Sequence, residues 1–226
     1  MKIQLKPQTL LFAVLTIALF PAFTRAEPVA VSPEEKANEW SFFGKGSRAA
    51  QNRMFYMEES PGSSGVMIFS PEAYTGDVIL RYEIMPMNPA SICVALLFAN
   101  EKDGGDFQAL AATGEETPEL SLGDLTNYFF VFHNVAHNRK PFLARFPGGN
   151  QMEIDRNLVR SGEFHQIEVG RKGNTLWLEI NGERIIEVED PEPFPSGHIG
   201  FRIRGISQMP AACLIRNVTI EQSTME

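Results

Sequence analysis

The segment Thr175-Leu176-Trp177-Leu178-Glu179-Ile180-Asn181 constrains this chain more than any other, because its aliphatic residues recur at every second position. Leu176, Leu178 and Ile180 fall on one side of an extended strand, and Trp177 and Glu179 on the other. Asn181-Gly182 follows, two residues that tolerate the positive φ of a tight hairpin turn. The chain then returns through Arg184-Ile185-Ile186-Glu187-Val188. Just upstream, Ile167 and Val169 alternate with Gln166 and Glu168 before Lys172-Gly173-Asn174 turns the chain. Three hairpin-linked strands with one oily face need a second apolar layer to close on. No stretch longer than about ten residues keeps a helical period, so that layer must be a second sheet.

The rest of the chain reads the same way. Short apolar stretches punctuated by Gly, Pro, Asn and Asp predict strands over 54–58, 65–69, 77–85, 91–99, 127–134, 142–146, 164–171, 175–181, 184–189, 198–204 and 213–220. One short helix is predicted over 106–113. The expected fold class is all-β, a two-sheet antiparallel jelly-roll sandwich over residues 38–222, followed by a tail over 223–226. Leu176, Leu178, Ile180, Ile167, Val169, Leu96 and Phe201 are its expected core.

The N-terminus carries an address. Lys2 and Lys6 precede an apolar run from Leu10 to Phe20, and Thr24-Arg25-Ala26 offers small residues at the two positions a signal peptidase reads. The run is roughly half the 20 residues of a membrane span. Residues 1–26 are therefore expected to be a secretory signal peptide, residues 27–37 a linker, and the mature protein periplasmic or secreted with no membrane span. Processing removes Lys2, Lys6 and Arg25 and no acid, which moves the formal charge from −8 to −11. A chain this acidic is not expected to bind nucleic acid, which needs clustered Lys and Arg. After export, Cys93 and Cys213 could pair or stay as buried thiols.

Several segments extend the pattern into a family likeness. Phe164-His165-Gln166-Ile167-Glu168-Val169, the Asn181-Gly182 hairpin, Gly197-His198-Ile199-Gly200-Phe201-Arg202 and Arg216-Asn217-Val218-Thr219-Ile220 resemble the closing strands of concanavalin A-like lectin/glucanase jelly rolls. Within that superfamily, Pro89-Ala90-Ser91-Ile92-Cys93-Val94 leading to Leu97-Phe98, and Gly123-Asp124-Leu125 opening an aromatic strand, resemble the YesU-like proteins, a bacterial group associated with pectin-type glycans. The resemblance implies a sandwich acting on polysaccharide or oligosaccharide. It leaves open a binding or accessory protein, an enzyme, and an interaction sandwich that binds no sugar.

Chemistry is expected around one strand. Tyr128, Phe130, Phe132 and Asn134 share one face of it, and Asn127, Phe129, Val131 and His133 the other. His137, Asn138, Arg139, Lys140 and Arg145 follow. Five basic residues against two acids between 139 and 160 make a basic patch in an acidic protein. Arg offers a planar fork to a uronate carboxylate, so Asn134, Asn138, Arg139, Arg145 and the Trp177 face are the expected substrate-binding residues. For a lyase reading, His133 and Tyr128 are the expected catalytic residues, either of them a candidate base, His133 because His titrates near neutrality. Strict alternation puts those two on opposite faces unless a bulge intervenes. Glu153-Ile154-Asp155 starts like an acidic glucanase motif, but Arg156, Asn157 and Leu158 follow where a third acid should be. No cofactor is expected. A structural calcium is compatible with the resemblance, but Asn100-Glu101-Lys102-Asp103-Gly104-Gly105-Asp106 misses the spacing of a twelve-residue calcium loop.

Export is the first expected outcome. Mass spectrometry of the protein from its native host should find a chain that begins at or near Glu27. An intact leader on cytoplasmic protein would overturn the reading.

Overall fold

The computed structural model describes residues 27–36, 38–104, 122–136, 138–206 and 209–223. Two antiparallel sheets lie face to face. The first runs in the order β13 (Glu183–Glu189), β12 (Thr175–Ile180), β11 (His165–Lys172), β6 (Asp77–Pro86), β15 (Ala212–Ser223), β4 (Met54–Glu59) and β3 (Gly46–Gln51), with β1 (Val29–Ala30) pairing beside β15. The second runs β10 (Gly149–Glu153), β9 (Phe142–Phe146), β8 (Leu125–His133), β7 (Ile92–Glu101), β14 (Ser196–Arg204), β5 (Val66–Thr75) and β2 (Ser41–Phe43). The expected all-β sandwich is the observed one.

Alternation builds the first sheet as expected. Along β6, Val78, Leu80, Tyr82 and Ile84 are buried while Ile79, Arg81, Glu83 and Met85 are only half-buried. In register with them, Ile167 and Val169 of β11 and Leu176, Leu178 and Ile180 of β12 point the same way. The second sheet answers with Cys93, Ala95 and Leu97 of β7, Tyr128, Phe130 and Phe132 of β8, and Ile199, Phe201 and Ile203 of β14. Trp40 stacks on Phe201 at 5.8 Å between centroids, and Tyr82 meets the same ring edge-on at 4.8 Å.

The second sheet differs from the first in being apolar on both sides. Phe43, Met67, Phe69, Val94, Leu96, Phe129, Val131 and Phe142 form a separate buried cluster on its outer face. Leu96, expected in the inter-sheet core, is fully buried but belongs to this outer cluster. The cause is strand phase: Leu96 stands one residue out of step with Ala95 and Leu97, and the unbroken apolar run of β7 disguises that phase.

Four strands were not expected. β2 is only three residues long, β3 is made of small and polar residues, β10 is short, and β1 falls within residues 27–37, which read as a linker and also carry the helix α1 (Pro33–Lys36). The helix expected at 106–113 lies outside the described residues.

Leu178 sits where the two sheets close, fully buried. Leu178→Ala should cost about 2–5 kcal/mol by lost transfer energy plus a cavity, read from urea melts. A variant as stable as the parent would displace Leu178 from the core.

Candidate functional site

The strand expected to carry chemistry is mostly a packing strand. Tyr128 points between the sheets at 0% exposure. Its hydroxyl donates to Asp190 Oδ2 at 2.6 Å and accepts from the Phe194 amide at 3.1 Å. Arg145 Nε donates to the same Asp190 oxygen at 3.0 Å, and its guanidinium lies 4.3 Å from the Phe194 ring centroid. Burial first, then the bond to Asp190, pushes the Tyr128 hydroxyl up to about 12. Burial alone would raise the Asp190 carboxyl, but Tyr128, the Glu192 amide and Arg145 together hold it below its ordinary value. Tyr128 and Arg145 therefore meet, but on a shared carboxylate that fastens the segment after β13 to the second sheet.

A β-bulge separates the Cys93–His133 pair from the Val94–Val131 pair, so simple alternation from Tyr128 does not carry through to His133, which is 3% exposed. Its Nδ1–H donates to the Ser91 carbonyl, and burial lowers its pKa from the ordinary 6.5 despite that bond. Asn134 is buried, with Nδ2 donating to the Lys140 carbonyl at 3.3 Å. Asn138 and Arg139 are exposed in the turn between β8 and β9, both at positive φ, 56° and 64°. His137 lies outside the described residues. Lys140 Nζ faces Glu153 at 3.5 Å and Asp155 at 3.9 Å, so the basic turn is partly neutralised by the two acids that began the glucanase-like motif. The fold brings Tyr128 and Arg145 together at Asp190, and His133 near enough to Arg139 for their charges to interact.

A space does exist on the outer face of the first sheet. A shallow recess of about 300 Å³ is lined by Arg81, Tyr82 and Glu83 of β6, Gln166, Ile167 and Glu168 of β11, Glu179 of β12, Gly182 and Asn217. Tyr82 and Ile167 have their side chains in the core, so they supply backbone floor and the other strand residues supply polar walls. That volume is at the lower end of ligand sites.

The walls are held in place. Glu168 accepts from Arg81 Nε at 2.6 Å and from Trp177 Nε1 at 2.7 Å, one donor on each oxygen. Arg81 Nη1 also reaches Glu221 at 2.9 Å. Glu83 accepts from Asn217 Nδ2 at 2.8 Å and from Arg216 Nε at 2.8 Å. The Arg216 guanidinium is braced over the Phe164 ring at 3.8 Å. Asn217 and Arg216 hold Glu83 below the usual carboxylate range, with desolvation pulling the other way. Arg184 Nε donates to Glu179 at 2.8 Å.

Trp177 borders this recess through Glu168. Its indole is 5% exposed, pressed on Gly170, where an added Cβ would lie 2.3 Å from the ring, and capped by the Arg184 guanidinium 4.7 Å from the ring. It orients Glu168 and does not present an open ring face. Sequence reasoning missed Arg81, Glu83, Gln166, Glu168, Glu179 and Asn217. The available signal was the polar half of each alternating strand, which three adjacent strands bring to one face.

Cys93 and Cys213 are free thiols buried in the inter-sheet core. Among the described residues no group of three His, Cys, Asp or Glu could hold a metal ion, and no helix is long and apolar enough to cross a membrane.

Solved structures share this two-sheet antiparallel sandwich, one of them described as galectin-like. The chain is similar to a Bacillus subtilis protein of unknown function with a galectin-like fold, at 16% identity and TM-score 0.73, covering 90% of this chain and 99% of that one. It is similar to the carbohydrate-binding module CBM66 from Bacillus subtilis, at 14% identity and TM-score 0.55, covering 81% and 96%. It also resembles the exoplasmic/lumenal domain of VIP36, solved with Ca²⁺ and Man3GlcNAc, at 9% identity and TM-score 0.57, covering 83% and 85%. At such identities the likeness is one of fold. No family model matches the chain. No curated protein matches it either.

The lowered pKa of His133 sets a pH dependence. Below about 6.5 the unfolded side chain takes up a proton that the folded one resists, so the unfolded state binds more protons and stability falls with acid. Urea melts between about pH 5 and pH 8 should show that decline, with full stability at the upper end. His133→Gln, which keeps a donor toward Ser91, should flatten it. An equal decline in the variant would assign it to other groups.

Proposed function

We propose that the chain is an exported carbohydrate-binding module and that its sugar site is the recess on the first sheet. The observation that carries the reading is pre-organisation. Glu83, Glu168 and Glu179 are each anchored by Arg, Trp or Asn donors before any ligand arrives. A polyol bound there meets acceptors already fixed, so little side-chain entropy is lost on binding. The fold it shares with a carbohydrate-binding module and an oligosaccharide-bound lumenal domain supports the same reading. The leader supports a periplasmic or extracellular location.

Binding without turnover fits the carboxylates better than hydrolysis. A glycosidase needs one carboxyl raised to act as acid, whereas Glu83 is lowered. The lyase reading fares less well, because its two expected groups are both buried and the Tyr128 hydroxyl is committed to Asp190. The acidic, pectin-type ligand depends instead on the exposed Arg139 turn.

Calorimetric titration of the mature protein with a panel of neutral and acidic oligosaccharides, followed by product analysis, tests these readings together. Gln166→Ala, on an exposed wall of the recess, should weaken binding by about two- to tenfold, the worth of one neutral hydrogen bond. No new reducing or unsaturated ends should appear. Loss of binding in Arg139→Ala with Gln166→Ala unaffected would move the site to the β8–β9 turn, and unsaturated products would make the protein a lyase.

A further inference from the structure

We infer that the recess takes its ligand through hydrogen-bond donors and prefers free-amine amino sugars over uronic-acid sugars; this rests on reading the recess as a sugar site. The donors around it are largely committed. Arg81 gives Nε to Glu168 and Nη1 to Glu221, Asn217 gives Nδ2 to Glu83, Trp177 gives Nε1 to Glu168, and Arg184 and Arg216 give theirs to Glu179, Glu187 and Glu83. The Gln166 amide and Arg81 Nη2 are the wall donors left.

Acceptors are in excess. Among the described residues nothing donates to Glu179 Oε2 or Asn217 Oδ1, and both Glu168 oxygens and Glu83 Oε1 accept one donor each and retain a second acceptor direction, whereas Glu83 Oε2 and Glu179 Oε1 each face Nε and Nη2 of one Arg. Within the lining Arg81 stands against Glu83, Glu168 and Glu179, and the neighbouring cations Arg184 and Arg216 are already paired with Glu179 and Glu83. Those three carboxylates are only 20–22% exposed, so solvent and salt screen them less than open surface charges.

The ligand class follows from matching these groups. A hydroxyl brings one donor and an ammonium brings three with a positive charge, and both fit walls that lack donors rather than acceptors. Cross-strand neighbours Glu168 and Glu179 stand side by side in the register of β11 and β12, which places two carboxylates within reach of one ammonium group. A uronate carboxylate only accepts. It would meet like charge and would have to take Arg81 away from two carboxylates to be bound.

The test compares three soluble oligosaccharides on the full mature chain: a glucosamine oligomer, the same oligomer fully N-acetylated, and an oligogalacturonate. At about pH 5.5, where sugar amines are protonated, the glucosamine oligomer should bind at least roughly tenfold tighter than its acetylated form, a difference of one charge-assisted contact, and more tightly still at low salt. Glu179→Gln, with folding checked by circular dichroism, should weaken the glucosamine oligomer more than the acetylated one and so narrow the gap between the two affinities. Equal binding of amine and acetamide, or a preference for oligogalacturonate, would overturn the inference and leave the sugar-binding reading standing. Absence of binding to all three and to the wider neutral panel would overturn both.

Discussion

Everything polar in this molecule is arranged by what the first sheet does with its inner face. Val78, Leu80, Tyr82 and Ile84 of β6 and the aliphatic rows of β11 and β12 are buried against the second sheet. At about 25 cal/mol per Å² of apolar surface buried, that contact fixes the phase of each strand. Once the phase is fixed, the intervening Arg81, Glu83, Gln166, Glu168 and Glu179 have no choice of side. They are displayed together because their neighbours are hidden together.

The two sheets divide the work. The second is buried on both faces and carries rings and aliphatics outward as well as inward, with Asn127 of β8 and Arg202 of β14 buried in it as well. The first pays for one face only, and its outer face is free to carry an ion-pair lattice. Trp177 shows how closely that lattice is tied to backbone: Gly170 leaves room for the indole to lie on the strand, and the indole in turn aims Glu168. A side chain at position 170 would disturb the recess without touching it.

The fold was largely legible in the chain, and for a reason that can be named. Period-two alternation and the Asn181-Gly182 turn are local signals, and they located β11, β12 and β13 nearly to the residue. The strands that escaped notice, β1, β2, β3 and β10, are short or rich in small and polar residues, so pairing partners decide them more than their own sequence does. Leu96 was assigned to the inter-sheet core because a strand apolar on both faces gives no phase. The recess was harder to read. Its residues come from β6, β11, β12 and the kink at Asn217, which are far apart in sequence, and no motif spans them. The basic, aromatic stretch is contiguous and so stands out in the sequence, yet its Tyr128 and His133 are buried. Trp177 was reached for its exposed-looking ring, and its actual role is to hold a carboxylate.

The pairing of β1 with β15, Val29 against Ile220 and Ala30 against Thr219, sets the two ends of the described chain side by side. Tension applied between residues near 27 and 223 would load that ladder end-on, parting its hydrogen bonds one after another rather than shearing them all at once. Such a sandwich yields mechanically from its terminal seam. β15 is paired on its other side with β6 and carries Asn217, so if the chain is strung between other segments, a pull on the string is felt at the edge of the recess.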